Sequence, residues 1–256
     1  MSWLKIALNN IPRPWLIRMS YWARPFLIYY FKGNKFTDPI DGRNFSKFLD
    51  YGYEKTRKNV LSPSTLSLER HRLMWLYLQQ ETDYFSEKLK VLHIAPEQAF
   101  FFRFRKMKNL DYTTLDIESP IADIKADIRN LPLNDNTFDV IFCNHVLEHI
   151  AEDAQAMKEL YRVMKPGGWG IFQVPMKYNL AETYEDFSII SPVERQKHFG
   201  QYDHVRWYGM DYFDRLKKAG FEVDTNFGTE KFSQEQRKKF ALMEGEILPV
   251  VRKKQD

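Results

Sequence analysis

The sequence predicts an α/β fold: a mostly parallel sheet with helices on both faces, preceded by a small N-terminal extension. Two observations carry this. From Lys88 onward, short apolar strand-like runs alternate with stretches of helical periodicity, the pattern of a parallel sheet covered by crossover helices. The length of 256 residues suffices for one such domain with a full core and some 85 residues before it.

The elements follow in order. Val91-Leu92-His93-Ile94 reads as a short buried strand. Phe100, Phe104 and Met107 share one helical face, and Asn109 is placed to end that helix. Asp111 to Asp116 is the second strand, and Phe138 to Cys143 is a strongly apolar one. Met157, Leu160, Tyr161 and Met164 mark an amphipathic helix, closed by Lys165-Pro166-Gly167-Gly168. Trp169 to Val174 is the next strand. Tyr212, Phe213 and Leu216 mark a helix ended by Gly220, and Phe221 to Val223 with Ile247 to Val251 close the sheet. Ligands of such sheets sit outside the carboxyl ends of the strands.

Upstream, residues 1–36 form an arm with Trp3, Trp15 and Trp22, half of the six tryptophans. Residues 1–37 carry Lys5, Arg13, Arg18, Arg24, Lys32 and Lys35 and no acid. Two readings stand: a segment lying in a membrane interface, or a helix packed on the rest of the chain. Residues 37–85 read as a small module with turns at 38–42 and 61–65, and with Thr65 or Ser67 placed to cap a helix holding Leu68, His71, Trp75 and Leu76. Residues 86–256 are the main domain.

A net charge of +4 excludes a whole-molecule polyanion binder. The single cysteine, Cys143, excludes an internal disulfide and a multi-cysteine zinc site, and a reducing, cytoplasmic setting is expected. The longest apolar run, Phe26 to Phe31, is far below the ~18 residues of a spanning helix. Pro12 and Pro14 interrupt any secretory pattern, so a cytoplasmic chain, with a peripheral contact to the inner face of a membrane through the arm, is the expectation.

Three motifs then occur in order: Leu131-Pro132-Leu133 through Phe138-Asp139-Val140-Ile141, then Asn144-His145-Val146-Leu147-Glu148-His149, then Leu160 to Gly168. In this arrangement the chain resembles the class I S-adenosylmethionine-dependent methyltransferases. The likeness runs from Val91 to Val251 and is strongest over 127–175. It implies a Rossmann-like methyltransferase sheet, S-adenosylmethionine as cofactor, and methyl transfer to an acceptor. Asp116, 19 residues after Glu97, is the strand-end acid that accepts from ribose hydroxyls, with Ile117 beside it. Asp127 and Ile128 are the pair that the family sets against adenine. Asn144 and His145 stand where the methionine part of the cofactor meets the substrate.

The first motif departs from the family's acid and glycine-rich turn. Here it is His93-Ile94-Ala95-Pro96-Glu97. His93 replaces a carboxylate, Ala95 stands where glycine would allow positive φ, and Pro96 removes a donor. Glu97 is the substitute partner for the cofactor's ammonium. Only 11 positions separate Asp116 from Asp127, too few for a usual crossover, so the helix between the second and third strands is expected to be missing. Asp38-Pro39-Ile40-Asp41-Gly42 and Ser62-Pro63-Ser64-Thr65 resemble the halves of a zinc knuckle with every cysteine replaced, a shape without its metal.

If the acceptor is a hydroxyl or amine, a base must take its proton; His145, His149, His198 and His204 are the candidates. Residues 199–208, dense in His, Arg, Asp and aromatics, lie on the substrate side of such folds. His145 and His149 at i, i+4 give too few ligands from one helix, with Glu148 elsewhere on it, so no metal is expected. The segment after the fourth strand lacks the Asn/Asp-Pro-Pro-aromatic motif of base methylation, which argues against nucleic acid. The expected acceptor is a small or lipid-linked molecule. The rival reading is a non-catalytic cofactor-binding or scaffold protein on the same fold.

Overall fold

The structure, a computed structural model, describes residues 13–52 and 56–255, with side-chain detail from Trp22. In chain order its first elements are α1 (Arg13–Tyr30), β1 (Lys32–Thr37), β2 (Asn44–Phe45), β3 (Leu49–Tyr51), β4 (Arg57–Leu61) and α2 (Glu69–Gln80). There follow β5 (Leu89–Ile94), α3 (Phe101–Phe104), β6 (Leu110–Asp116), β7 (Ile124–Lys125), β8 (Phe138–Cys143), α4 (Asp153–Val163) and β9 (Met164–Ile171). The last are β10 (Tyr184–Glu185), α5 (Pro192–Phe199), β11 (Arg206–Trp207), α6 (Tyr212–Lys218), β12 (Glu222–Asp224), α7 (Gln234–Lys239) and β13 (Val250–Arg252). The chain divides into two compact units: the residues up to Trp75 with Phe232–Met243, and Leu76–Lys231 with Glu244 onward.

The second unit holds a seven-stranded sheet in the order β12-β13-β9-β8-β5-β6-β7. The run from β7 to β9 is parallel, and β13 is antiparallel to both its neighbours. Side chains alternate across the sheet with the strand period of two. Leu92, Ile94, Ile141 and Cys143 enter one core with Met157 and Leu160 of α4 and Tyr212 and Leu216 of α6. His93, Phe142 and Trp169 project to the opposite layer, where Tyr84 and Phe104 meet them edge-on or tilted. On β9 only glycine fits at 170, because a Cβ there would lie 2.5 Å from the Ile141 carbonyl oxygen of β8.

As the spacing predicts, no helix separates β6 from β7; residues 117–123 alone make the crossover. Asp123 fastens it by accepting from Thr114 N at 2.9 Å and from Arg105 at 2.8 Å. The helix expected to run as far as Met107 is only the single turn α3. Asn109 does not cap it, because its amide donates instead to the Tyr84 and Glu87 carbonyls. The Lys165 to Gly168 stretch is not a helix-closing turn but the start of β9.

The first unit contains two small antiparallel pairs, β1–β2 and β3–β4. Its core is Phe36, Phe45 and Phe48, with Ile28 and Phe31 packed against it. The two proline turns meet: buried Asp38 accepts from Ile40 N at 2.9 Å, from Ser67 Oγ at 3.2 Å and from Thr65 Oγ1. Both hydroxyls expected to cap α2 are thus directed at Asp38, and the ring of His71 accepts from Leu68 N instead. Trp22, Phe26, Tyr29 and Tyr30 of α1 are exposed. Trp3 and Lys5 lie outside the described residues, as do the side chains of Arg13, Trp15 and Arg18.

Candidate functional site

A cavity of about 370 Å³ opens at the carboxyl ends of β5 and β6, within the size range of small-molecule sites. Ile94 and Ala95 line it from β5, Leu115, Asp116 and Ile117 from β6, and Ala126 to Arg129 from the segment after β7. The segment Val146 and His149 to Glu152 forms a further wall, with Arg195 and Val205. Most of this lining is apolar, with the polar groups at a few places, as in sites that bind a planar ring and orient it by hydrogen bonds.

Local backbone shapes the opening. Ala95 takes a left-handed φ of +46°, the conformation glycine would otherwise supply, and donates its N–H to the Leu115 carbonyl at 2.8 Å. His145 does the same at the end of β8, with φ of +54°, and its N–H is held by the Gln173 carbonyl at 2.7 Å. Residues after each strand therefore turn sharply away, and the strand ends stay open.

Two carboxylates stand on the wall. Asp116 accepts the Glu118 and Ser119 N–H groups on Oδ1, both at 2.8 Å, which fixes its rotamer at the end of β6. Asp127 is gripped by Arg129, whose guanidinium reaches both carboxylate oxygens and also Glu152 at 2.6 Å. The Arg129 hydrogen bonds hold the Asp127 carboxyl below the usual range, so it is ionised at neutral pH.

The segment 145–151 is not the helix the i, i+4 spacing suggests. It is the turn at His145 followed by a 3₁₀ turn, Leu147–His149. Glu148 and His149 consequently lie together rather than on different helix faces. The 199–208 segment is brought against them by backbone and side chain alike. Val205 N donates to the Glu148 carbonyl at 3.0 Å. The buried Arg206 donates to the carbonyls of Leu147, Ile150 and Ala151, and to Glu185 Oε2 at 2.8 Å. His204 thereby stacks edge-on to His149, ring centroids 4.7 Å apart.

Of the residues expected to bind cofactor, Ala95, Asp116, Ile117, Asp127 and Ile128 line the cavity. His93, Glu97, Asn144 and His145 are not among the lining residues. The strand period places His93 on the opposite face from Ile94. There its Nε2 is 2.8 Å from Glu97 Oε2 and its Nδ1 is 2.7 Å from the Tyr112 hydroxyl. An ionised Glu97 only accepts, so His93 donates to it and Tyr112 donates to His93. Asn144 is buried, and its Oδ1 accepts from Gln173 N at 3.1 Å. Among the histidines considered as bases, His149 lines the cavity, His145 stands 3.3 Å from Glu148 Oε1, and His198 is hydrogen-bonded to the Tyr184 hydroxyl at 2.7 Å. Arg129, Glu152 and Arg206 were not singled out in the sequence. The density of charged and aromatic residues in 199–208 was the available signal for Arg206.

The strand order and this cavity define the Rossmann-like methyltransferase fold. Residues 84–172 match the family model described as a methyltransferase domain. The sterol 4-C-methyltransferase strm-1 of Caenorhabditis elegans is 33% identical over 84 residues, which are 33% of this chain and 23% of that protein. The ubiquinone/menaquinone biosynthesis C-methyltransferase UbiE of Idiomarina loihiensis is 35% identical over 68 residues, 25% of this chain and 27% of its own length. The chain thus spans about a quarter of the length of these relatives. Among solved structures, the [4+2]-cyclase SpnF superposes with a TM-score of 0.50 at 16% identity, over 74% of this chain and 84% of that one. That likeness is one of fold, and a neighbour named as a cyclase shows that the fold by itself does not name the reaction.

Proposed function

We propose that this chain binds S-adenosylmethionine in the strand-end cavity and transfers its methyl group to a small or lipid-linked acceptor. The observation that carries the reading is the pair of fixed carboxylates, Asp116 and Asp127, at successive strand ends of one largely apolar cavity. Asp116 is set to accept from ribose hydroxyls, and Ile117, Ile128 and Ile150 supply apolar faces for a purine. The names of the sterol and quinone C-methyltransferase relatives support a small apolar acceptor. The sulfonium of the cofactor is an activated donor, so the chain's own work is to hold donor and acceptor in line and exclude water. The polar group nearest to that task is His149, backed by Glu148 and His204.

The Asp38/Thr65 and Ser62/Ser64 contacts support reading the 38–65 turns as a zinc-knuckle shape held by hydrogen bonds in place of metal. The exposed rings of α1 support a peripheral membrane contact.

The test is calorimetric titration of the full chain with S-adenosylmethionine and S-adenosylhomocysteine. One saturable site is expected. Asp116→Ala should weaken it by about 1.5–3 kcal/mol, the range for a hydrogen bond to a charged group. Absence of binding, or unchanged affinity in both Asp116→Ala and Asp127→Ala, would overturn the reading. Binding without methyl transfer to any acceptor in an extract of the source cells would favour the non-catalytic alternative, which the closed His93–Glu97 pair at the first motif also favours.

A further inference from the structure

The sequence gives no reason to expect a metal, because one helix bearing His145 and His149 offers too few ligands. The fold changes the donor set. Glu148, His149 and His204 each present one ligand atom, and these atoms all lie within 4.8 Å of one another. Two elements distant in sequence supply them, joined by the Val205–Glu148 backbone bond and the Arg206 clamp.

Glu148 and His204 are each 1% exposed. Among the described residues, neither carboxylate oxygen of Glu148 accepts a hydrogen bond of good geometry, His145 Nδ1 standing 3.3 Å from Oε1, and His204 Nε2 has no partner. A buried carboxylate in that state is costly unless a cation faces it. His204 is poised as a ligand on its other side. Its Nδ1 is 3.2 Å from the Phe199 carbonyl, which can only accept, so Nδ1 carries the proton and Nε2 the lone pair. His149 Nδ1 is 3.3 Å from the Asp203 carbonyl, the same outer support that orients ligating histidines.

We propose that Glu148, His149 and His204 form a three-ligand site for a divalent transition-metal ion, with His149 bringing that site to the wall of the cavity. Two imidazoles and a carboxylate select ions of the zinc, cobalt, iron(II) or manganese kind rather than magnesium or calcium, which take oxygen ligands. Metal–ligand distances of about 2.0–2.2 Å require the three atoms to close by about an ångström, within the reach of side-chain rotation. Three protein ligands leave coordination positions open towards the cavity. The site goes beyond the methyl-transfer reading and stands whether or not methyl transfer does.

The test uses tag-free full-length protein stripped with a chelator and titrated with cobalt(II), then zinc(II), by absorption and calorimetry. One ion per chain is expected, with the visible bands of nitrogen and oxygen coordination, and magnesium should not compete. Glu148→Gln and His204→Asn should each bind at least about 100-fold more weakly, since loss of even an outer partner costs 10–100-fold. Retained binding of S-adenosylhomocysteine by the variants would show an intact fold and separate this test from that of cofactor binding. Should either variant fail to fold, ring-nitrogen NMR of the unmutated protein decides. Zinc must shift His149 and His204 and leave His198 unmoved. No saturable binding, variants that bind cobalt as well as the parent, or ring signals that ignore zinc would overturn the site.

Discussion

Asp38 and Arg206 show how single buried polar residues hold this molecule together. Asp38 is fully buried, and Thr65, Ser67 and Ile40 N all point at it. Asp38→Ala leaves those donors without an acceptor, and a loss of about 2–3 kcal/mol in unfolding free energy is expected by denaturant titration, the desolvation cost of unsatisfied buried groups. Arg206 faces Glu185 and Asp153 besides the three carbonyls of the 147–151 segment. Arg206→Met should cost about 3–5 kcal/mol, as in other broken buried pairs, and should also release His204 from Glu148. Neither role was legible in the sequence. The sequence shows Asp38 as a lost zinc ligand and Arg206 as one charge in a dense loop, because the donors to Asp38 from Thr65 and Ser67 and the acceptors of Arg206 lie far along the chain. The placement of Asp116 and Asp127 on the cavity wall is legible, since strand ends can be counted from the apolar runs that precede them.

At the level of elements, the strands of this chain are more legible in its sequence than the helices. β5, β6 and β8 agree with the expected strands to within two residues, because a run of buried β-branched and aromatic residues between turns leaves few alternatives. The helix after β5 is shorter than its periodicity predicts: Phe100 and Phe104 stack at 5.1 Å within one turn, and the chain then leaves for β6. The small ladder of β10 and β11 was invisible, having only two residue pairs, Tyr184 with Trp207 and Glu185 with Arg206. Its stability should depend on pH. Burial raises the Glu185 carboxyl, but hydrogen bonds from Arg215 and Arg206 outweigh this and hold it below its ordinary value. A carboxyl lowered in the folded state contributes stability above its unfolded pKa, about 4.3, and that contribution is lost as pH falls further. The parent should therefore exceed Glu185→Gln in urea midpoint at pH 7, and the gap should narrow below about pH 4.3. A gap that widens on acidification would count against this network.

For the whole molecule, the open question from the sequence was whether the aromatic arm packs or stays outside, and the structure divides the arm between the two. Ile28 and Phe31 face the Phe36, Phe45 and Phe48 core, while Trp22, Phe26, Tyr29 and Tyr30 stay exposed, Trp22 at 87% and Tyr29 at 83%. The sequence hides such a division, because Phe26 to Phe31 is an unbroken apolar and aromatic run with no polar side to mark which residues pack. No helix among the described residues is long and apolar enough to cross a membrane, so an interfacial contact is the form a bilayer interaction would take. Rings of this kind sit at headgroup level, and basic residues nearby contribute about 1 kcal/mol each at an anionic surface. Lys32 and Lys35 are exposed just after the helix. Removing the arm would strip Phe31 from the core and confuse folding with binding, so the informative change is on the exposed rings alone. Full-length protein should sediment with vesicles containing anionic lipid at low salt and release as salt rises. The combined Trp22→Ser, Phe26→Ser and Tyr29→Ser variant should keep its unfolding midpoint and stay in the supernatant. Equal sedimentation of the two proteins, or no sedimentation of either, would remove α1 as a membrane contact and with it the structural support for a lipid-linked acceptor.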